Sequence, residues 1–394
     1  MTPAARLSAA IEILDDVLVG ENAERVLTTW ARGHRYAGSK DRAAIRDLVF
    51  DAIRCMRSYA WLGGAGERPS GRQLILGALR AAGTDPDTLF CTDRFAPRPL
   101  HEGERELPAP LETAPRGVRL DCPDWLLPLY DATLGADADA ALELLRHRSE
   151  VFLRVNPRKA TLYTAREALH KDDIDAVPHP LCDTALKVTR NARAVARSQA
   201  YLTGLVEIQD VGSQAILDVL PLEPGQSVLD YCAGGGGKAL AIGARVDVKL
   251  TAHDIDPARM QDIAPRASRA GIDITLARTS ELAKAYDLIL CDVPCSGSGA
   301  FSRSPQGKWA LTENRLSHLV QIQADILDEV APRVRPGAHL AYATCSLFKV
   351  ENDEQVAKFA ARHPEFSLRM SRHVSPLEGG DGFFIAVFQR AVVL

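Results

Sequence analysis

Apolar residues recur every three or four positions through much of the first ninety residues. Two such runs would each fill one face of a helix: Leu7, Ile11, Leu14 and Leu18, and then Ile45, Leu48, Val49 and Ile53. The stretch GRQLILGALRAAG, at 71–83, has similar spacing and closes at a glycine, as helices commonly do. The pattern predicts a small all-α domain.

The pattern changes after this region. Charged residues and prolines between 92 and 123 favour a linker, and the prolines are Pro97, Pro99, Pro108, Pro110, Pro115 and Pro123. From 124 to about 200 the patterns are mixed: VFLRVNP, at 151–157, predicts a strand ended by proline, and LYTAREALHK predicts a helix. A small α+β module is expected here.

Beyond about residue 203, short apolar runs alternate with helical patterns. The predicted strands are SVLDY at 227–231, KLTAH at 249–253, IDITLA at 272–277, YDLILC at 286–291, HLAYAT at 339–344 and GFFIAVF at 382–388. This alternation predicts an α/β fold with a Rossmann-like, doubly wound sheet and an added late strand. The expected organisation is an all-α domain with a proline-rich linker over 1–115, an α+β module over 116–202 and an α/β domain over 203–394.

Composition places the chain among ordinary globular proteins, with 46% hydrophobic and 25% charged residues. No apolar run approaches the roughly 20 residues of a membrane-spanning helix. The first residues also become acidic too early for a signal peptide. We therefore expect a cytoplasmic protein with no membrane partner.

The net charge of −4 does not mark the whole chain as a nucleic-acid binder. One segment, 31–46, is nevertheless basic. It carries Arg32, His34, Arg35, Lys40, Arg42 and Arg46 around Tyr36. Composition alone leaves open whether this cluster contacts phosphates or is a solvated face.

Eight cysteines are spread along the chain, at 55, 91, 122, 182, 232, 291, 295 and 345. Neither a second close cysteine pair nor a histidine pair at zinc spacing accompanies Cys291 and Cys295. No metal site is expected. The thiols are then either buried apolar groups or reactive groups.

A glycine-rich turn joins a predicted strand to a predicted helix in VLDYCAGGGGKALAI, at 228–242. Glycines allow close approach of a ligand to the backbone, and a helix start offers unpaired N–H groups. A phosphate-binding P-loop is excluded, because Cys232 and Ala239 occupy positions where that motif needs a glycine and a hydroxyl residue.

Two cofactors remain for this turn. A dinucleotide fits G-x-G-x-x-A, with Asp254 following the second strand. S-adenosylmethionine fits as well, because its cationic sulfonium and amino-acid tail suit an acid at the first strand end, Asp230, while Asp254 would take the ribose hydroxyls. The turn alone does not choose between them.

Two cysteines end predicted strands, in DVPC (292–295) and YATC (342–345). Methyltransferases that act on exocyclic amines commonly carry an aromatic residue where this chain has Cys295. A thiol suits carbon 5 of a pyrimidine, because addition of a thiolate to carbon 6 makes carbon 5 nucleophilic. Asp292 is placed to protonate or hydrogen-bond ring N3, and a second thiol could assist release.

These stretches resemble the Sun/RsmB-type family of RNA cytosine-5 methyltransferases. The matching segments are QDVGSQ (209–214), CAGGGGK (232–238), DVPCSGSG (292–299), RSPQGKW (303–309), YATCS (342–346) with Glu351 and Asn352 after it, and GDGFF (380–384). DRAAIRDLVFDAIRCMR, at 41–57, resembles the NusB-like RNA-binding domain that opens some family members, and FLRVNPRK, at 152–159, resembles their middle segment.

The resemblance implies an S-adenosylmethionine-dependent enzyme that methylates carbon 5 of a cytidine in small-subunit (16S) rRNA. It implies Cys345 as the nucleophile and Cys295 as the release residue, beside the acid already assigned to Asp292. The family's methyl-donor site maps to Cys232, Ala233, Gly234, Gly235, Gly236, Gly237, Lys238, Asp254 and Asp292, and the acid at the first strand end adds Asp230. We also expect a monomer.

The chain departs from the family at two places. The usual C-A-A-P-G-G-K-T is here C-A-G-G-G-G-K-A, and the acid usual after the third strand is absent, with Thr279 and Ser280 nearby. Two alternatives therefore stay open. A nicotinamide oxidoreductase would explain the turn but leaves both thiols unused, and a non-catalytic RNA-binding or ribosome-assembly protein would explain the altered turn as a decayed pocket.

Overall fold

The computed structural model describes residues 1–66 and 68–392. It divides into two compact units. The helical unit comprises Met1–Arg148 and Phe301–Ala310, and the α/β unit comprises Ser149–Ala300 and the described residues from Leu311 onward. This division does not fall at the expected boundaries, 115 and 202, partly because a segment from late in the chain packs into the helical unit. The three-domain organisation stays a prediction.

The helices are α1 (Pro3–Leu18), α2 (Ala23–Gly33), α3 (Ser39–Arg54), α4 (Met56–Leu62), α5 (Gly71–Ala81), α6 (Glu102–Arg105), α7 (Arg116–Arg119), α8 (Leu127–Leu134), α9 (Ala138–Leu145), α10 (Leu162–Lys171), α11 (Gln199–Leu202), α12 (Val211–Ala215), α13 (Gly237–Arg245), α14 (Ile263–Ala270), α15 (Pro305–Ala310), α16 (Glu313–Val330) and α17 (Asp353–Arg362). The strands are β1 (Phe152–Val155), β2 (Asp175–Pro178), β3 (Ala185–Arg190), β4 (Val206–Ile208), β5 (Ser227–Asp230), β6 (Lys249–Ala252), β7 (Thr275–Leu276), β8 (Tyr286–Asp292), β9 (Val334–Thr344), β10 (Phe366–Val374) and β11 (Phe383–Arg390).

The helical unit packs α1, α2, α3 and α5 around one apolar core. Thr2 begins α1, because its hydroxyl oxygen accepts a hydrogen bond from the Ala5 N–H at 3.1 Å. The predicted apolar faces are buried, and Leu14, Ile45 and Ile53 are among the fully buried side chains. The prediction of helices in the first ninety residues is confirmed.

The late segment, Phe301–Ala310, contacts the end of α3 within the helical unit. Lys308 Nζ donates to the Arg54 carbonyl at 3.1 Å, and Trp309 Nε1 donates to the Ile53 carbonyl at 2.7 Å. Carbonyls at a helix end have no partner within the helix, so these two side chains satisfy them. Lys308 is thereby buried in the unit.

The α/β unit contains two sheets. The smaller has four antiparallel strands in the order β2-β3-β1-β4, and its β1 matches the strand predicted at 151–157. The larger has the order β10-β11-β9-β8-β5-β6-β7, with the strands from β9 to β7 parallel and β10 and β11 antiparallel. This sheet confirms the predicted doubly wound α/β fold.

Two details of the larger sheet differ from the sequence pattern. The strand predicted at 272–277 is reduced to the two residues of β7. The sequence pattern missed the edge strand β10, because seven of its nine residues are partly or fully exposed and it lacks an apolar run.

The strand order of the larger sheet reverses beside β5, whose neighbours are β6 and β8. Ligands bind at such a reversal in doubly wound sheets.

No helix within the described residues is long and apolar enough to span a bilayer. Over residues 1–66 and 68–392, no group of three or more histidine, cysteine, aspartate or glutamate side chains forms a candidate metal site.

Candidate active site

A cavity of about 580 Å³ lies at the carboxyl ends of the parallel strands. Loops after β5, β6, β8 and β9 form much of its wall, through residues 231–235, 253–255, 292–295 and Cys345. Parallel strands present their carboxyl ends at the same edge of a sheet, so four distant segments converge here. The cavity belongs to the α/β unit alone.

The two predicted catalytic thiols meet on this wall. Cys295 Sγ and Cys345 Sγ are 3.4 Å apart, and both residues are partly exposed. The hydrogen bond to Cys345, together with burial, raises the pKa of the Cys295 thiol well above its usual value. Cys295 therefore stays protonated and can donate its proton to the neighbouring sulfur.

The loops that carry the two thiols are tied together by Glu351. Its carboxylate accepts hydrogen bonds from the Ser296 N–H at 2.8 Å and from the Ser296 and Ser346 hydroxyls. Gln323 Nε2 donates to the same carboxylate at 2.9 Å. Because Ser296 and Ser346 directly follow the two cysteines, Glu351 links their positions. The sequence pattern included Glu351 without suggesting this contact.

Asp292 forms an ion pair with Lys238, whose Nζ lies 2.6 Å from Asp292 Oδ2. Burial alone would lower the pKa of Lys238, but the Asp292 carboxylate outweighs it and the pKa is raised. Cys345 acts in the same direction, so the lysine charge lies close enough to stabilise a thiolate there. Lys238, predicted to hold the cofactor, thus also belongs to the thiol environment.

The glycine turn lines the cavity through most of its predicted residues. Ala233, Gly234, Gly235 and Gly237 are on the wall, as is Cys232, whose thiol pKa is raised by burial. Gly236 is not on the wall. It has φ +77° at the start of α13, and a Cβ there would come within 2.8 Å of Ile263.

The two carboxylates predicted to hold the cofactor occupy different surroundings. Asp254 is on the wall; its carboxylate accepts from the Gly234 N–H at 2.9 Å and pairs with Arg259 at 3.1 Å. Asp230 lies off the wall and is fully buried. Among the described residues, neither oxygen of Asp230 accepts a hydrogen bond of good geometry, although the Ala239 N–H lies close enough to favour the ionised form weakly. Burial, with a contribution from Asp292, raises its pKa to about 7.

Several wall residues were missed by the sequence reasoning. Gln209 and Ser213 come from QDVGSQ, a motif that signalled the family without suggesting a place in the site. Arg259 and Glu329 had no sequence signal. Thr279, near the position of the missing acid, is off the wall and bonds to His253 at 2.9 Å.

The sequence relationships agree with this geometry. Residues 217–389 match the family described as 16S rRNA methyltransferase RsmB/F, and residues 122–195 match the RsmF/B-like ferredoxin-like domain. Proteins described as ribosomal RNA small subunit methyltransferase B, from Yersinia pestis bv. Antiqua (strain Angola) and Yersinia pseudotuberculosis serotype O:1b (strain IP 31758), are each 31% identical over 280 residues, covering 67% of this chain. Residues 217–389 belong to the RsmB/F methyltransferase family. The chain spans 65% of the length of those Yersinia relatives.

Solved structures share the fold. The crystal structure of PH0851 has a TM-score of 0.73 at 22% identity and covers 99% of both chains. NSun6 from Pyrococcus horikoshii, solved with SFG, has a TM-score of 0.61 at 17% identity and covers 69% of this chain and 99% of its own.

The RsmB/F family is of the S-adenosylmethionine-dependent class, and the cavity fits that cofactor. Its volume lies in the range of ordinary ligand pockets. Asp254, Asp292 and Glu329 place carboxylates on the wall, and the unpaired Asp230 lies close by. This acidic character suits a sulfonium cation, which supplies the methyl group when bound.

The raised pKa of Asp230 predicts a pH-dependent stability. Between its unfolded pKa, near 3.8, and its folded pKa, about 7, the folded state holds the proton more tightly, so stability falls as pH rises. We expect Asp230→Asn to gain thermal stability relative to the unsubstituted protein across that range, on the order of a few kcal/mol by its upper end. Asp247→Asn, at an exposed carboxylate, is the control for lost charge. A constant difference between Asp230→Asn and the parent at every pH would contradict this account.

The Glu351 contacts predict the effect of Glu351→Gln. The glutamine amide cannot accept all four hydrogen bonds, and we expect a loss of about 1–3 kcal/mol of stability. The two thiols should also join more slowly under a mild disulfide-forming oxidant, which mass spectrometry of the linked peptides would measure. Glu354→Gln, an exposed neighbour paired with Lys358, should change neither quantity. If the two thiols of Glu351→Gln form the disulfide as fast as those of the parent, Glu351 does not set their positions.

Proposed function

We propose that this chain is an S-adenosylmethionine-dependent methyltransferase that methylates carbon 5 of a cytidine in small-subunit (16S) rRNA. The observation that carries the proposal is the 3.4 Å separation of Cys295 and Cys345 on the wall of one cavity. The names of the Yersinia relatives support the substrate. NSun6 supports the cofactor, because SFG is an S-adenosylmethionine analogue.

In this proposal Cys345 is the nucleophile. Its thiolate, stabilised by the Lys238 ammonium, adds to carbon 6 of the cytosine and forms a carbon–sulfur bond. Asp292 lies 2.6 Å from Lys238 and faces the same space. In its protonated form it donates its proton to ring N3 as charge develops there, and the Lys238 ammonium stabilises the carboxylate that is left. Carbon 5 then attacks the methyl group that a bound donor would supply, and the bond from that methyl to the sulfonium sulfur would break.

Cys295 acts second for an electrostatic reason. Two thiolates 3.4 Å apart would repel strongly, so Cys295 stays protonated while Cys345 carries the charge. Once Cys345 is bonded to carbon 6, its sulfur is a neutral thioether and that obstacle is gone. Cys295 can then lose its own proton to solvent and, as a thiolate, take the proton from carbon 5. The electrons of that carbon–hydrogen bond restore the ring double bond, the bond from carbon 6 to Cys345 breaks with its electrons returning to sulfur, and the product leaves.

The substrate has to present an unstacked base, because the thiolate approaches carbon 6 from the face of the ring and neighbouring bases cover both faces of a stacked cytosine. The target cytidine in this proposal therefore lies in a loop or an exposed single strand of the rRNA. The helical unit acts in this proposal as a NusB-like RNA-binding domain. The enzyme is a monomer and works in the cytoplasm.

Substitution of each cysteine tests the proposal. Cys345→Ala removes the nucleophile, and we expect methyl transfer to rRNA to fall at least about a thousandfold. Cys295→Ala should leave attack intact but block release, so that a protein–RNA adduct accumulates and survives a denaturing gel. Cys91→Ala, a partly exposed thiol of the helical unit, is the control and should behave like the parent. An adduct from Cys345→Ala but not from Cys295→Ala would reverse the two roles, and full activity of Cys345→Ala would end the proposal.

A further inference from the structure

Aromatic rings form a continuous run in the helical unit, from its core to its surface. Trp30 is buried and stacks on His34 with ring centroids 4.3 Å apart. His34 meets Tyr36 edge-on at 5.7 Å, and its Nδ1 lies 2.8 Å from the Trp30 carbonyl. Tyr36 is 71% exposed at the end of this run. Its ring is thus held toward solvent by the rings behind it.

Two cavities of the helical unit share Trp30. One, of about 630 Å³, is lined by His34, Tyr36, Arg94 and Phe95, and Phe95 is 64% exposed. The other, of about 530 Å³, is lined by four arginines: Arg32, Arg35, Arg42 and Arg46. An aromatic wall therefore adjoins a basic wall. We call the two together the aromatic–arginine groove.

The charge of the basic wall is only partly compensated. Arg46 pairs with Glu24, and Arg42 Nε donates to the Ala37 carbonyl at 2.9 Å. Within the described residues, Arg32 and Arg35 are exposed and form no hydrogen bond or ion pair. The lining of the cavity with the aromatic wall includes one acidic residue, Glu12. Exposed arginines without acidic partners favour a polyanion as the occupant.

We propose that the aromatic–arginine groove binds a single-stranded segment of the substrate RNA, with bases stacked on Tyr36 and Phe95 and phosphates contacting Arg32 and Arg35. Exposed aromatic rings beside cations are the combination that single-stranded nucleic acid uses, because every unpaired base offers a face for stacking. A duplex hides those faces, so it would use only the arginines. The inference rests on the proposed function for the nature of the substrate.

Direct binding measurements test this groove in the full chain. The probes are a short fluorescein-labelled single-stranded RNA of mixed sequence and a duplex of the same length. Tyr36→Leu and Phe95→Leu should each weaken binding of the single strand by about 5- to 150-fold, the range for loss of one stacked base, and leave the duplex nearly unchanged. Tyr36→Phe keeps the ring and should bind like the parent. Tyr163→Leu, an exposed aromatic of the α/β unit, is the matched control.

The arginines give a second, independent readout. The double variant Arg32→Gln/Arg35→Gln removes two phosphate contacts and should lower the slope of log affinity against log salt by about 1.4 units for the single strand and about 1.8 for the duplex. Arg105→Gln, which sits in a pair with Asp87, should leave the slope unchanged. All these side chains are exposed, and thermal unfolding checks that each variant is folded.

The outcomes separate this inference from the proposed function. Parental single-strand affinity in Tyr36→Leu and Phe95→Leu overturns the groove, whether or not the parent methylates rRNA. If these two variants lose affinity equally for the single strand and the duplex, the proposed stacking of bases is also overturned. Selective loss of single-strand binding supports the groove, and it would do so even if the parent transferred no methyl group, in which case only the catalytic proposal fails.

Discussion

The parallel pairing of β8 and β9 is the constraint on which the site depends. Asp292 lies opposite Ala343 in this pair, and the Val293 N–H donates to the Ala343 carbonyl at 3.0 Å just beyond it. The two loops then stay joined, because the Gly299 N–H donates to the Cys345 carbonyl at 3.0 Å. Glu351 adds its bonds to both loops. The distance between the thiols is therefore set by backbone pairing and one carboxylate, not by the sulfur atoms.

Acidic side chains outnumber cations around the cavity, where Glu329 adds to the aspartates. Three aspartates, Asp230, Asp254 and Asp292, face two cations, Lys238 and Arg259, in and beside one cavity. Two of the aspartates form ion pairs with those cations, whereas Asp230 forms none among the described residues. A cationic ligand lowers the cost of ionising Asp230, whereas a further anion would raise it. This balance favours a sulfonium donor over a phosphate-rich dinucleotide.

Local patterns predicted the strands and the motifs at their ends, because apolar runs and turn residues are encoded over a few positions. The contacts that complete the site come from far along the chain and had no local signal. Arg154 of β1 is buried and donates to the Gly237 carbonyl at 2.8 Å, although 83 residues separate them. The charge of Lys308 predicts a surface position, yet this residue is buried in the helical unit. Asp230 has the sequence position of a ligand contact but lies behind the wall.

The altered glycine turn bears on whether the pocket has decayed. Gly234 and Gly235 replace an alanine and a proline of the family. Gly234 has φ +50°, a conformation that favours glycine, so only the loss of proline at Gly235 costs rigidity, roughly 0.4–1 kcal/mol. Arginine side chains occupy the space beside them: a Cβ at Gly234 would lie 3.2 Å from Arg259, and one at Gly235 would lie 3.2 Å from Arg266.

These arginines also bind the turn. Arg266 donates to the Gly235 carbonyl, while Arg154 holds the carbonyl of Gly237. Each such bond contributes about 0.5–1.5 kcal/mol, or more because the donor is charged, which offsets the flexibility of one glycine. The turn is thus held from outside by guanidinium groups instead of from within by proline, and its sequence is no argument for a lost cofactor site.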